Sequence, residues 1–389
     1  MSPTTSVQRR GRALGAIAIA ALALSGCAAA DGTAGEASDV DIDRAAWAID
    51  AVFLSCDSGE ELATCEGTDL VAPYQSLAYE DVEGEELEVC VLVPHVADPV
   101  WLGINYGVVT EAERLGVKLQ FNDAGGYTNI AEQNSQVEDC VAQGVQAVVI
   151  GAVSADALDP VLAIAQDSGV KVVDGGNGIN SGHVDARAVL DYYQMGQAVG
   201  QHLAALDEEL TVALLPGPAG AGWSERSVVG FRDAIADSKV VLTDVRYGDP
   251  VKEVQAGLVE DTLAADPDID VIVGTAVTAE VAAIVAEERG LSGSLGIYST
   301  YISPTLTSLI ENGAVTCAPN DQGVYLARIM MDLAVRLALG LPFEQNTNRA
   351  APAPVLVCGP SAGPADNFGS FDPESVFAPS NWSPVANVN

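Results

Sequence analysis

From residue 87 onward, apolar runs of strand length alternate with amphipathic segments of helical length. The strand candidates are 87–94, 117–122, 147–150, 170–174, 210–215, 240–247, 271–274 and 295–298. Helical patterns fill the gaps at 99–115, 129–143, 155–168, 191–208, 223–237, 251–265, 276–289 and 303–312. Such alternation predicts βαβ units and parallel sheets buried on both faces. Eight units exceed one ordinary sheet, and the pattern pauses over 175–189, a stretch we read as the crossing between two lobes. A (β/α)8 barrel has the same count. Against it, 314–319 adds a strand, 322–339 a long helix and 353–357 a final strand. These extras suit an α/β protein of two doubly wound parallel-sheet lobes joined by a multi-strand hinge. The expected division is 87–190 plus 322–342 for the N-terminal lobe and 191–321 plus 343–358 for the C-terminal lobe. An irregular tail is expected over 359–389, rich in Pro, Ser and Asn.

The first 26 residues follow a different rule. Arg9, Arg10 and Arg12 precede the uncharged run 13–24, which ends in Leu24-Ser25-Gly26-Cys27. A basic flank, a short apolar core and small residues before a cleavage point form a secretory signal. The run is too short for a bilayer span of ~20 residues. Its end resembles the lipobox of bacterial lipoproteins, which implies acylation of Cys27 and a mature chain anchored outside the cytoplasmic membrane. Residues 27–86 then read as a tether and N-terminal extension. Within that extension, 28–40 are small and polar, and 41–86 hold a short helical pattern and an acidic stretch at 83–86.

Charge narrows the function classes. The chain has 54 acidic residues against 17 basic ones, a formal charge of −37, and loss of the first 26 residues removes three more arginines. A surface this acidic excludes nucleic acid as a partner, because displacing counterions needs Lys and Arg. Hydrophobic residues make up 49% of the chain, enough for two cores.

Six cysteines follow Cys27: Cys56, Cys65, Cys90, Cys140, Cys317 and Cys358. An even number in an exported chain predicts disulfides, although six cysteines allow 15 pairings. Cys56 and Cys65 would close a small loop. Cys317 and Cys358 lie in strand-like runs and could bridge neighbouring strands, leaving Cys90 in the first strand and Cys140 on a helix that could cover it. No CxxC occurs and the three histidines are scattered, so neither a metal site nor a cofactor is expected.

In an open parallel sheet, ligands bind beyond the carboxyl ends of the strands. Those ends here carry glycine and a large aromatic residue with few charges: 94–101 with Asp98 and Trp101, 122–129 with Tyr127, 174–179 with Asn177, 216–223 with Trp223, and 298–301 with Tyr301. Asp98 before Pro99 also reads as a helix cap. Several aromatic faces around one cavity favour a methylated nitrogen through cation–π attraction, ~0.5–2 kcal/mol per face. Asn177, Thr275 or the Trp223 indole could donate to a ligand oxygen. Gly125-Gly126 and 217–222 fit neither Walker nor dinucleotide spacing.

Over about 87–358 the chain resembles type I periplasmic binding proteins of the ribose-binding kind. Asp98-Pro99-Val100-Trp101, Ala124-Gly125-Gly126-Tyr127-Thr128-Asn129 and Asn177-Gly178-Ile179 are similar to the TorT branch, periplasmic sensors of trimethylamine N-oxide. The resemblance implies that Trp101, Tyr127 and Trp223 contact ligand, and that Asn320 and Asp321 occupy a hinge position that often does so. Sugar binders of this family carry an Asp-Arg pair after the fourth strand; here Gly176-Asn177 stands in its place, which argues against a hexose or pentose. The implied function is a lipid-anchored solute receptor serving the membrane permease of an ABC importer. The alternative is a ligand sensor partnering a membrane histidine kinase. An exported enzyme is disfavoured by the absence of a Gly-x-Ser-x-Gly elbow and of any metal-ligand cluster.

Overall fold

The computed structural model describes residues 44–53 and 70–389. The signal, Cys27 and the Cys56/Cys65 loop lie outside the described residues. The chain begins with two strands, β1 (Ala48–Phe53) and β2 (Leu70–Gln75), which pair antiparallel. The other partner of β1 lies some 300 residues away in sequence, and part of the span 41–86, where a short helical pattern is expected, lies outside the described residues.

The first lobe follows with β3 (Glu88–Val93), α1 (Pro99–Leu115), β4 (Lys118–Asp123), α2 (Ile130–Gln143), β5 (Ala147–Ile150), α3 (Asp159–Asp167), β6 (Lys171–Gly176) and β7 (Ala186–Val189). The second lobe contains α4 (Tyr192–Ala205), β8 (Leu210–Leu215), α5 (Gly222–Ile235), β9 (Val240–Val245), α6 (Lys252–Ala265), β10 (Val271–Gly274), α7 (Ala276–Arg289), β11 (Gly296–Ser299), α8 (Pro304–Glu311) and β12 (Cys317–Asn320). The chain then recrosses to α9 (Gly323–Leu339), adds β13 (Ala350–Pro352) beside β1, returns as β14 (Val355–Cys358), and ends with β15 (Asn387–Val388).

Each lobe has a six-stranded sheet, ordered β15-β4-β3-β5-β6-β7 in the first and β14-β12-β11-β10-β8-β9 in the second. Five strands of each are parallel, and the sixth is an antiparallel edge strand from the C-terminal part of the chain. Two expectations change here. The pause at 175–189 contains β7, the last strand of the first sheet, so the crossing falls after it, near 190. The tail is not irregular throughout: Asn387–Val388 pairs with β4, and the Trp382 indole donates to Asn105 Oδ1 at 3.0 Å.

The helix starts and stops have local causes. Asp98 caps α1 by accepting from Val100 N–H at 2.9 Å, and Gly116 ends it at φ 71°. Burying a polar group without a partner is costly, and the N-terminal extension meets that demand with a charged network. Tyr74 donates to Asp332 at 2.6 Å, Asp332 accepts from Leu77 N–H at 2.6 Å, and Arg336 pairs with Asp332 at 2.5 Å. Glu111, fully buried in α1, pairs with Arg114 and Arg328 and accepts from the Trp47 indole.

Both disulfides seen among the described residues follow the expected pairing. Cys90–Cys140 ties β3 to α2, and Cys317–Cys358 joins directly opposed residues of β12 and β14. The latter uses both sulfurs of the cluster Cys317, Cys358 and His202, so that cluster offers no thiolate pair to a metal. No helix among the described residues is long and apolar enough to cross a membrane.

Candidate functional site

The carboxyl ends of both sheets face a common cleft lined by Asp98, Val100, Trp101, Tyr127, Asn177, Tyr192, Trp223, Pro250, Tyr301 and Asp321. Its walls close to leave only about 20 Å³ of free cavity, on the order of one water molecule. Pockets for small molecules are concave, mostly apolar and furnished with a few polar groups, as here. Six of the eight residues expected at the site meet in this cleft: Asp98, Trp101, Tyr127, Asn177, Trp223 and Tyr301.

Each lobe seats one tryptophan against a glycine at a strand end. Trp101, in the first turn of α1, lies over Gly151 and Gly176; Trp223, in the first turn of α5, lies over Gly217. A Cβ at Gly151 or Gly217 would overlap the indole ring, so both tryptophans need those glycines. Around them the other rings interlock. Trp223 sits 5.8 Å from Tyr192 and 6.2 Å from Tyr301, centroid to centroid, the latter edge-to-face at 81°. These separations lie in the range of favourable aromatic pairs. Tyr127 meets His95 at 5.6 Å, and its hydroxyl accepts from Asn177 Nδ2 at 3.2 Å; Asn177 also donates to Ala152 carbonyl at 2.8 Å.

The lobes touch across this cleft. Tyr301 Oη of the second lobe lies 3.5 Å from Asp98 Oδ2 of the first, and the core of buried apolar residues runs continuously through Trp101, Tyr192, Trp223 and Tyr301. The arrangement is therefore closed. The Trp223 indole N–H in the wall is buried and makes no well-formed hydrogen bond, with only a weak interaction to the Tyr127 side chain. An unsatisfied buried donor costs about 1–3 kcal/mol, which an acceptor in the cleft would recover.

Two expected residues stand outside the wall. Thr275 caps α7, exchanging hydrogen bonds with Thr278, and is fully buried behind the cleft. Asn320 turns back to accept from Gln322 N–H at 2.8 Å, and its neighbour Asp321 lines the cleft instead. Gln322, which follows them at the start of α9, lies in the left-handed region at φ 47°. Tyr192 and Pro250 were missed; Tyr192 opens the helix after the unrecognised strand β7. The Asp-Arg pair of the sugar binders has a counterpart of another kind: Asp174 and Arg187 bond each other at 2.7 Å, buried, outside the cleft wall.

The electrostatics is dominated by burial. Asp321 is raised to about 7, chiefly by desolvation, with the Gly323 N–H opposing and the Asp98 charge adding to the rise. Asp98 is raised by the same desolvation, opposed by the Val100 N–H, His95 and Tyr301. The phenols of Tyr127, Tyr192 and Tyr301 are pushed up, again by burial first, and stay neutral.

Residues 89–342 match the periplasmic binding protein domain family. The chain belongs to that family. It is 34% identical to periplasmic protein TorT of Escherichia coli (strain K12) over 275 residues, 70% of this chain and 78% of that one. An ABC transporter solute-binding protein from Bradyrhizobium sp. BTAi1, solved with bound Bis-Tris, is 38% identical, superposes with a TM-score of 0.74, and covers 87% of this chain and 98% of its own. The complex of TorT with the TorS sensor domain, solved in the presence of trimethylamine N-oxide, gives a TM-score of 0.67 at 27% identity, covering 77% of this chain and 100% of that one. Periplasmic binding protein membership implies an extracytoplasmic location. These relatives are binding and sensor proteins rather than enzymes.

Proposed function

We propose that this protein is a solute receptor that closes its two lobes on a small amine-bearing molecule and presents it to the membrane permease of an ABC importer. Lipid on Cys27 would hold it beside that permease at high effective concentration. The observation that carries the reading is the cleft wall: five aromatic side chains, the buried Trp223 N–H among them, line one narrow cleft with contributions from both lobes. A ligand touching both lobes binds the closed form better than the open one and shifts the equilibrium toward closure. Bis-Tris, carried by the Bradyrhizobium relative, is a hydroxylated tertiary amine, and trimethylamine N-oxide is a methylated one; both accord with an aromatic-walled site.

A thermal-shift panel on the purified protein tests this, with trimethylamine N-oxide, betaine, choline, pentoses, hexoses and polyols. Upward shifts with methylated amines are expected. A shift with sugars alone rules out the amine assignment, and no shift with any solute removes the receptor reading. The second reading is a TorT-like sensor acting on a membrane histidine kinase, favoured by the 34% identity to TorT. Uptake of the labelled solute separates the two: deletion of the gene abolishes uptake if the protein serves an importer and leaves it intact if it serves a sensor.

A further inference from the structure

We propose that the cleft selects a solute with a net positive charge and a neighbouring hydroxyl, its ammonium group lying within reach of both Asp98 and Asp321. This rests on the reading of the cleft as a solute site and goes further by fixing the charge of what enters.

The argument begins with what the wall contains. Among the described residues lining the cleft are two carboxylates and no lysine or arginine. Asp98 accepts from Val100 N–H at the start of α1, and Asp321 accepts from Gly323 N–H at the start of α9. Both carboxylates thus sit at helix N-termini, where the ends of the peptide dipoles favour the ionised form. The five aromatic rings that share the wall add an attraction for a cation wherever it meets a ring face. A neutral N-oxide would bring its negative oxygen toward two carboxylates and gain nothing from their charge.

The other titratable groups near the pair leave Asp321 without a cation of its own. Around Asp98 they are His95, whose charge opposes the rise, with Glu280, Tyr127, Tyr192 and Tyr301; around Asp321 they are Asp98 itself and Tyr192. Glu280 is already engaged, accepting from Ser303 at 2.9 Å and pairing with Lys252 at 3.5 Å. The cleft therefore holds a buried acid, Asp321, whose natural counter-charge is the ligand, beside the half-buried Asp98. The Trp223 N–H, buried and only weakly engaged by the Tyr127 side chain, adds an independent preference for an acceptor on the same molecule. An ammonium ion bearing a hydroxyl meets both demands.

Burial raises both carboxyl groups in the unoccupied cleft, and a bound cation opposes that rise. Cation affinity should therefore increase with pH through the region near 7, where Asp321 ionises. If protonated carboxyls instead donated to an N-oxide, affinity would fall over the same interval.

The test is calorimetric titration of the full chain at pH 5.5 and pH 8 with three probes: choline, its neutral carbon isostere 3,3-dimethyl-1-butanol, and trimethylamine N-oxide. We expect choline to bind at least tenfold tighter than the isostere at pH 8, and its affinity to rise severalfold from pH 5.5. Asp98→Asn and Asp321→Asn keep the side-chain shape and should each lower choline affinity about tenfold while moving the isostere less than threefold. Equal binding of choline and its isostere, or tighter binding of the N-oxide with a falling pH profile, overturns the proposal. Absence of choline binding alongside binding of the N-oxide or a sugar overturns the charge assignment and leaves the receptor reading standing. Failure of every solute in the wider panel overturns both. The wild-type comparison needs no variant, so a folding defect in either substitution does not blur the outcome.

Discussion

The two lobes share a plan of five parallel strands and one antiparallel edge, yet they differ in how they are fastened and in what they offer the cleft. In the first, Cys90–Cys140 ties the central strand to α2 through the interior. In the second, the disulfide lies within the sheet near its edge, and rigidity comes from α4 and α5 packing backbone to backbone. Gly196 sits against the Ser227 carbonyl, and Gly230 against the Tyr193 carbonyl. The faces differ too. The first lobe presents Asp98 with Trp101, Tyr127 and Asn177, whereas the second presents Trp223, Pro250 and Tyr301 without a charge. Asp321 and Tyr192 belong to the crossings between them. Charge recognition thus lies on the first lobe and the crossing, and the second lobe supplies ring surface. Two stiff bodies joined by thin crossings suit a protein that acts by opening and closing.

The fastening half of this comparison is broken most strongly at the first disulfide. Replacing Cys90 and Cys140 together by Ser frees a loop spanned by a separation of 50 residues, and we expect a loss of about 3–4 kcal/mol in urea unfolding without reductant. A loss below about 1 kcal/mol would show that packing alone holds α2 on its sheet. In the second lobe, Gly230→Ala forces a methyl group into the Tyr193 carbonyl, so α4 and α5 must separate. An expected cost of about 2–3 kcal/mol is checked by the same unfolding curves, and an unchanged midpoint would mean that the helix pair is loosely packed in solution.

A smaller effect sharpens the electrostatic half. Asp321 ionises near 7 in the folded, unoccupied protein, above the ~3.9 of an unfolded chain. Its contribution to stability is complete below about 4 and is lost as pH rises through 7. Wild-type thermal stability should decline over that interval more steeply than that of Asp321→Asn, measured without ligand. Parallel profiles would show that the Asp321 carboxyl is not desolvated as the structure has it.

Much of this was legible in the sequence, because its causes are local. The helix at 99–115 is announced by Asp98-Pro99 and closed by Gly116, and the helix at 276–289 lies between the Thr275 cap and Gly290. The strands buried on both faces, such as Ala147–Ile150 and Val271–Gly274, are unbroken apolar runs. What escaped depends on distant partners. β1 is defined by its pairing with β2 and the distant β13, and β15 is two residues long with only its pairing to β4 to define it. β7 is a four-residue segment containing Arg187, a charge that only its buried pairing with Asp174 explains. Within the site, the Trp, Tyr and Asn positions follow from strand-end logic. Asp321, expected with Asn320 at the hinge, lines the cleft, while Asn320 turns back to accept from the Gln322 N–H. Thr275 was misplaced for a related reason: its Thr-x-x-Thr spacing commits the hydroxyl to capping α7.

The central claim is that aromatic surface from the second lobe closes on a solute held by the first. Calorimetric titration of the best-binding amine into the wild type, Trp223→Ala and Trp382→Ala tests it most directly, because Trp223 lines the cleft and Trp382 packs against Tyr106 in the tail. Trp223→Ala should weaken binding at least tenfold, about 1.4 kcal/mol or more, with Trp382→Ala within about twofold of the wild type, below 0.5 kcal/mol. Equal affinity in Trp223→Ala and the wild type would contradict the account.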